Sequence, residues 1–232
     1  MSLLKAGDAL FLDFDGTLAP IVDDPDAAAM SAEMRAVVVE AHSVLGGALA
    51  LVSGRGVDDL ASRAPEGVVL VGNHGRRARG VEWPEASPAP DGLAEALEAL
   101  ATDEVVFERK GAVFALHSRA VPERGDALER DVMAALPDGY RMEHGKRVVE
   151  AKPEGASKGE AVRRLMEMEP FSGRRPVMIG DDTTDEAGFA AAQELGGLGV
   201  KVGEGYTCAR ERLGAPEDVL AALRALVQPP AP

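Results

Sequence analysis

The chain has 232 residues, and its 25 lysines and arginines against 39 aspartates and glutamates give a formal net charge of −14. At this length, with 46% hydrophobic residues, it can form one large globular domain or two small ones. The acidic balance argues against nucleic-acid and anionic-membrane partners, because both recruit clustered positive charge.

Four short apolar runs each end abruptly in polar residues. Short, continuously apolar runs are typical of strands that are buried on both faces, as in a parallel sheet. Helical patterns from about Ser31 to Leu45 and from about Val57 to Ala64 separate the first three runs, and this alternation predicts a Rossmann-like, doubly wound α/β core. The predicted strands lie at Ala9–Leu12, Ala48–Val52, Val68–Val71 and Val177–Ile179.

The pattern changes in the middle of the chain, between about residues 105 and 152. There the residues predict two strands, a helix and two further strands, which is the order of an α+β module. A proline-rich stretch at residues 83–90 precedes it. We therefore predict an inserted α+β domain at residues 89–153, within a core domain formed by residues 1–88 and 154–232.

The first predicted strand runs directly into Asp13-Phe14-Asp15-Gly16-Thr17-Leu18. Two carboxylates this close repel each other unless they share a proton or a cation bridges them. Gly16 allows the chain to leave the strand in a sharp turn. For an isolated Asp-x-Asp pair, capping of a loop is the alternative interpretation, and the complete segment after a hydrophobic strand disfavours it.

A second acidic group follows the predicted strand at residues 177–179. It comprises Asp181, Asp182 and Asp185, and in a doubly wound sheet it lies at the same edge as the first group. Clustered carboxylate oxygens are the ligands that Mg²⁺ prefers. An exposed acidic loop is the alternative for a single run, but two acidic groups at one sheet edge predict a Mg²⁺ site.

Two further features favour binding of an anion. Ser53-Gly54-Arg55 ends the second strand and opens a helix, where a hydroxyl and backbone N–H groups can bind an oxyanion, although such a tripeptide is often only a turn. Lys158 follows Ser157 in the first turn of a predicted helix, a position that the helix dipole makes unfavourable for a cation. A nearby phosphate explains this placement, and a solvated lysine is the alternative.

These four elements, in this order, resemble the haloacid dehalogenase superfamily of phosphotransferases. Within it the chain is similar to the trehalose-6-phosphate phosphatase family over nearly its whole length. This closer resemblance rests on Leu18-Ala19-Pro20-Ile21, on Gly72-Asn73-His74-Gly75 and on the inserted domain, which corresponds to the family's cap. It implies Mg²⁺-dependent hydrolysis of trehalose 6-phosphate to trehalose and phosphate, the last step of trehalose biosynthesis, through an aspartyl-phosphate.

The resemblance also implies roles for individual residues. Asp13 would be the nucleophile, Asp15 the general acid and then the base, and Ser53 and Lys158 would bind the transferred phosphoryl group. Mg²⁺ would be held by the carboxylates of Asp13 and Asp181 and by the backbone carbonyl of Asp15, with Asp182 or Asp185 in support. Arg55 would lie beside the phosphate, and the implied contacts to the sugar are Glu108, Lys110, Arg119, Lys146 and Glu150. Asn73 and His74 follow the third predicted strand at the same sheet edge, where we expect them to contact the substrate; for His74 a role outside the site is the alternative.

The cap residues have independent support from strand periodicity. Glu108 and Lys110 share one face of a predicted strand, as do Lys146 and Glu150, and alternating acids and bases suit sugar hydroxyls that both donate and accept. A solvated sheet face with ion pairs is the alternative. One departure is the basic run at residues 76–79, where relatives often carry an acidic residue nearby. We expect a surface loop there, and a segment that faces the phosphate entrance is the alternative.

Two other functions stay open at this point. One is a related capped phosphatase for another sugar phosphate, such as sucrose phosphate or a mannosyl-phosphoglycerate. The other is a sugar-phosphate sensor without catalytic activity, which the complete set of motif residues disfavours.

The start of the chain has no signal-peptide pattern, and its apolar runs are shorter than the roughly 20 residues that cross a bilayer. The single cysteine, Cys208, excludes an internal disulfide framework, and we expect it to be a small buried residue. We therefore expect a cytoplasmic protein with a small-molecule substrate and no nucleic-acid or membrane partner. The sequence is compatible with a monomer.

Overall fold

The structure, a computed structural model, describes residues 3–22, 24–84, 88–118, 121–145 and 147–228. It divides into two compact units. The core unit comprises Met1–Pro84 and Ser157–Pro232, and the inserted unit comprises Glu85–Ala156. The predicted boundaries, after residues 88 and 153, lie within four residues of these.

Strands and helices follow one another along the chain in three groups. Before the insertion they are β1 (Asp8–Leu12), α1 (Ala32–Val44), β2 (Leu49–Val52), α2 (Val57–Arg63), β3 (Val69–Gly72) and β4 (Arg77–Arg79). The insertion contains α3 (Leu93–Glu98), β5 (Val106–Lys110), β6 (Val113–His117), α4 (Gly125–Ala135), β7 (Tyr140–Gly145) and β8 (Val148–Pro153). After it come α5 (Lys158–Leu165), β9 (Arg175–Gly180), α6 (Glu186–Glu194), β10 (Leu198–Val202), β11 (Glu211–Leu213) and α7 (Pro216–Val227).

The core unit is built on a seven-stranded sheet in the order β11-β10-β9-β1-β2-β3-β4. The pairings are parallel except at one edge, where β4 runs antiparallel to β3. From the central strand β1, successive strands are added outwards on both sides, which is the doubly wound arrangement. The predicted α/β class with a Rossmann-like core is confirmed, and β1, β2, β3 and β9 end at one edge of the sheet.

The central strand explains why the first apolar run is continuous. β1 pairs with β2 on one side and β9 on the other, and all five of its residues are buried. Phe11 stacks on Phe171 with the ring centroids 5.5 Å apart, and Asp8 is neutralised by Arg175 at 2.7 Å. The residues that follow β1 therefore leave from a rigid support.

Side-chain caps determine where two core helices begin. The hydroxyl of Ser31 accepts a hydrogen bond from the backbone N–H of Met34, and that of Ser157 accepts one from the backbone N–H of Glu160. Such a bond satisfies one of the N–H groups that have no partner within a helix. The cap at Ser157 makes Lys158 the first residue of α5.

The inserted unit is an antiparallel sheet in the order β5-β6-β8-β7, packed with α3 and α4. Phe114, Leu116, Leu128 and Val132 belong to the apolar cluster between the sheet and the helices. Helix α3 is not predicted by the sequence pattern, because its six residues are too few to show a helical period. Every helix in the described part of the chain is too short or too polar to span a lipid bilayer.

Two local expectations are wrong. Residues 77–79 of the basic run form the edge strand β4 rather than a loop, and exposed arginines there are a common way to protect a sheet edge. Cys208 is exposed rather than buried. It lies on the connection from β10 to the edge strand β11, at the margin of the sheet.

Candidate active site

Side chains from several elements meet at the carboxyl edge of the core sheet. Asp13 follows β1, Ser53 follows β2, Asn73 follows β3 and Asp181 follows β9. The backbone N–H of Asp13 donates to the carbonyl oxygen of Ile179 at 2.9 Å, which ties the ends of β1 and β9 together. The parallel sheet therefore unites motifs that are far apart in sequence.

A buried lysine lies at the centre of this edge. Nζ of Lys158 is 2.7 Å from Oδ1 of Asp13 and 2.7 Å from Oδ1 of Asp185. The three residues are 2%, 4% and 0% exposed, and buried charges are stable only when they are paired. The negative charges of Asp13 and Asp185 outweigh the effect of burial and raise the pKa of Lys158, so it stays protonated. These carboxylates explain why a cation occupies a helix N-terminus.

A third carboxylate gives this edge an excess of negative charge. One oxygen each from Asp13, Asp181 and Asp185 lies within 4.8 Å of the others. Burial raises the pKa of Asp181 to about 6, and the charge of Asp185 adds to the effect. Burial and the charge of Asp185 also raise the pKa of Asp13 well above its usual range, despite Lys158. Oxygen donors with uncompensated charge fit a divalent cation such as Mg²⁺.

The close approach of the acidic segments depends on two glycines. Gly16 has φ +71°, and a Cβ at this position would lie 2.1 Å from Oδ2 of Asp181. A Cβ at Gly180 would lie 2.2 Å from Cγ of Asp185. A side chain at Gly16 or Gly180 would overlap a carboxylate group, so the absence of a Cβ at both positions allows the three carboxylates to lie close together.

The two predicted supporting aspartates differ in position. Asp185 is fully buried, and its Oδ2 accepts a hydrogen bond from the backbone N–H of Asp182 at 3.0 Å. The exposed carboxylate of Asp182 instead accepts from the backbone N–H of Thr183 at 2.7 Å. The structure therefore brings Asp185, but not Asp182, into the group of three carboxylates.

Lys201, near the end of β10, is a further residue at this edge that was not predicted. This lysine is only 5% exposed, and its Nζ donates a hydrogen bond to the backbone carbonyl oxygen of Asp181. The signal that could have identified it is a charged residue between the apolar Val200 and Val202 at the end of a buried strand.

Arg55, predicted to contact substrate, is paired with the other aspartate of the first motif. Its Nε and Nη2 donate to Oδ2 and Oδ1 of Asp15, both at 2.7 Å. This bidentate pair raises the pKa of Arg55 above its ordinary value. Ser53 lies next to it, buried, with its hydroxyl accepting from the backbone N–H of Arg55 at 3.2 Å.

Asn73 and His74 stabilise the loop that carries Ser53. Oδ1 of Asn73 accepts from the backbone N–H of Val57 at 3.2 Å, and His74 packs against Gly54, where a Cβ would lie 2.8 Å from the imidazole Cε1. Both residues adopt left-handed backbone conformations, with φ of 53° and 55°. Such strain persists where the surroundings impose it. Their predicted contacts to substrate stay predictions.

The two acidic residues of the predicted sugar site, Glu108 and Glu150, lie on the same face of the sheet in the inserted unit. Glu108 on β5 and Glu150 on β8 both pair in register with Ala115, which lies between them on β6. Oε2 of Glu108 is 3.0 Å from Nε2 of His117. Arg119, Lys146 and the side chain of Lys110 lie outside the described residues.

A further charged pair on this face was not predicted. Lys152, only 1% exposed, forms an ion pair with Glu143, and Glu143 lies opposite Glu150 in the register of β7 and β8.

Comparison with known proteins identifies the family to which a chain with this site belongs. The family model described as trehalose-phosphatase matches residues 11–211. The chain belongs to the trehalose-phosphatase family. The match includes the residues of the carboxyl edge and the whole inserted unit. The predicted enzyme class, a phosphoric monoester hydrolase, is confirmed.

Relatives and solved structures support the same assignment. A probable trehalose-phosphate phosphatase of Sinorhizobium fredii is 41% identical over 206 residues, covering 84% of this chain and 77% of the relative. The trehalose-6-phosphate phosphatase of Escherichia coli is 38% identical over 227 residues, covering 93% and 85%. The C-terminal domain of the C. albicans trehalose-6-phosphate phosphatase is similar with a TM-score of 0.77 and 25% identity, covering 95% and 92%.

The role of Gly16 in this family's site is testable by substitution. We expect Gly16→Ala to lower phosphatase activity toward p-nitrophenyl phosphate about 100-fold, because the new methyl group displaces Asp181 and a shift of about 1 Å at an active site has this effect. Gly67→Ala is the matched control, since Gly67 also has positive φ but no atom within 4 Å of an added Cβ. Both variants should lose about 1–2 kcal/mol of unfolding free energy from backbone strain.

Activity assays and urea denaturation of the two variants separate these effects. Equal activity of Gly16→Ala and Gly67→Ala would show that the close approach of Asp181 is not required.

Proposed function

We propose that the protein hydrolyses trehalose 6-phosphate to trehalose and phosphate in a Mg²⁺-dependent reaction, the last step of trehalose biosynthesis. This proposal rests on the position of the buried Lys158 between the carboxylates of Asp13 and Asp185, with Asp181 beside them. Identity of 38–41% to proteins named for this phosphatase supports the choice of substrate.

Mg²⁺ would be held by the carboxylates of Asp13 and Asp181 and by the backbone carbonyl of Asp15, with Asp185 supporting them. When bound, the ion supplies positive charge that orients the phosphoryl group and offsets the negative charge of the transition state. The excess of carboxylate charge over Lys158 favours a divalent cation at this position.

In the first step, a carboxylate oxygen of Asp13 forms a bond to phosphorus while the bond from phosphorus to the sugar oxygen breaks. Asp15 donates its proton to the departing sugar oxygen, so that it leaves as an alcohol. Lys158 restrains Asp13 and, with Ser53, binds the oxygens of the phosphoryl group during transfer. Positioning and charge neutralisation of this kind account for most of the catalysis of phosphoryl transfer.

In the second step, water attacks the phosphorus of the aspartyl-phosphate and Asp15 accepts a proton from it. The bond between phosphorus and Asp13 breaks, which releases phosphate and restores the carboxylate. Asp15 is then protonated for the next cycle.

Sugar recognition is assigned to the inserted unit acting as a cap. Glu108 and Glu150 on one sheet face, together with Lys110, Arg119 and Lys146, offer both acceptors and donors to the hydroxyls of a disaccharide. A cytoplasmic location and a monomeric state remain predictions from the sequence.

A panel of phosphate esters tests the function. With Mg²⁺ we expect kcat/KM for trehalose 6-phosphate to exceed that for glucose 6-phosphate and sucrose 6-phosphate at least about 10-fold, because unpaired polar groups of the site penalise the wrong sugar. A chelator should abolish turnover, and Asp13→Asn should do so without changing the circular dichroism spectrum. Equal kcat/KM for all three esters contradicts the proposed substrate, and binding without phosphate release identifies a sensor.

The role of the cap is tested by Glu150→Gln. We expect kcat/KM for trehalose 6-phosphate to fall about 10- to 100-fold, the effect of losing a hydrogen bond from a charged group, while p-nitrophenyl phosphate hydrolysis stays within about twofold. Glu123→Gln, an exposed site in the same unit, is the control and should leave both activities unchanged. An equal loss on both substrates would assign Glu150 a structural role.

A further inference from the structure

A chain of alternating charges leads from the carboxyl edge along α2. Asp15 pairs with Arg55, Arg55 pairs with Asp59 and Asp59 pairs with Arg63. Asp59 and Arg63 are four residues apart on α2, so they lie on one face of the helix, and Arg55 lies two residues before the helix begins. Of these four residues, only Asp15 has a role in the mechanism above.

The guanidinium of Arg55 is held on two sides. Its Nε–Nη2 edge donates to Asp15, while Nη1 donates to Oδ2 of Asp59 at 2.9 Å and Nη2 also donates to the carbonyl oxygen of Pro25 at 2.8 Å. A guanidinium is planar, so contacts at both ends fix the rotation of the plane and the direction of the edge that faces Asp15. Asp59 thus helps to determine which edge of the Arg55 guanidinium faces Asp15 and at what angle.

Asp59 is itself held in place. Its Oδ1 accepts from Nε of Arg63 at 2.9 Å and lies 2.8 Å from Nη2 of the same residue. Nη1 of Arg63 donates to the carbonyl oxygens of Ala28 at 2.6 Å and Asp26 at 3.0 Å. The side chains of Arg55 and Arg63 are only 12% and 14% exposed, so solvent screens these pairs less than it screens fully exposed ones.

We propose that Asp59 is a positioning residue for catalysis: it fixes Arg55, and Arg55 in turn fixes the carboxylate of Asp15. The proposal rests on the role of Asp15 in the proposed function. Proton transfer to the leaving group depends on the placement of Asp15 within about 0.5 Å. Loss of Asp59 frees one end of the Arg55 guanidinium, and Asp15 then loses its fixed orientation.

The leaving group distinguishes this role from a purely structural one. A sugar oxygen needs the proton of Asp15 in order to depart, whereas p-nitrophenolate leaves readily without it. For both esters kcat/KM reports the steps up to departure of the leaving group. A misplaced Asp15 therefore lowers kcat/KM for the sugar phosphate selectively.

The test compares Asp59→Ala and Asp59→Asn with Asp58→Ala. Asp58 is the neighbouring acidic residue in the first turn of α2 and is exposed, so it matches the change in charge and in helix position. With Mg²⁺, Asp59→Ala should lower kcat/KM for trehalose 6-phosphate about 10- to 100-fold, which is within the range that general acid catalysis contributes. The same variant should change kcat/KM for p-nitrophenyl phosphate by less than about twofold. Asp59→Asn keeps an acceptor for Arg55 and should recover part of the loss, while Asp58→Ala should behave like the unmodified protein.

An equal loss on both esters, or a profile identical to that of Asp58→Ala, overturns the proposal. A wrong substrate assignment gives a different result from a wrong role for Asp59. In that case the unmodified protein would hydrolyse p-nitrophenyl phosphate but not trehalose 6-phosphate. A crystal structure of Asp59→Ala gives a readout without turnover. The proposal expects Arg55 to leave Asp15 or to change its donor edge, and an unchanged bidentate pair at 2.7 Å refutes it.

Discussion

The buried ammonium group of Lys158 is the interaction on which the rest of the site depends. It joins the residue after β1 to the helix that follows the insertion and to the turn after β9, so both parts of the core unit must assemble around it. Removing one partner of a buried ion pair costs about 3–5 kcal/mol, since it leaves an uncompensated charge. Here one lysine faces two contacting carboxylates and a third nearby, and the remaining negative charge is what makes the edge suitable for a cation.

The acidic net charge of the chain is compatible with an anionic substrate because charge acts locally at this site. Residues 105–152 carry nine basic and eight acidic residues, a net charge of +1, so the rest of the chain carries −15. Part of that acidity is the carboxylate cluster itself. A phosphate group in this cluster would meet Lys158 and a bound metal ion at short range, whereas the distant surface charges are screened over about 8–10 Å.

Much of the fold and the site could be predicted because both depend on short stretches of sequence. Buried parallel strands appear in the sequence as continuous apolar runs. Asp13 and Ser53 follow such a run directly, and Asp181 follows one after Gly180. The pairing of Arg55 with Asp15, and with it the role of Asp59, could not be predicted. That pairing joins residues 40 positions apart, and the loop after β1 and the start of α2 determine it together.

Thermal unfolding of the metal-free protein with and without Mg²⁺ measures whether a divalent cation relieves the carboxylate repulsion at the sheet edge. Saturating Mg²⁺ should raise the melting temperature, since a ligand at 100 times its Kd adds about 2.7 kcal/mol of stability. Asp181→Asn removes one of the repelling charges, so without metal it should melt above the unmodified protein, and Mg²⁺ should then add little. The exposed Asp58→Asn should respond to Mg²⁺ like the unmodified protein. A melting temperature that Mg²⁺ leaves unchanged, or an equal response in Asp181→Asn, would show that no divalent cation binds between these carboxylates.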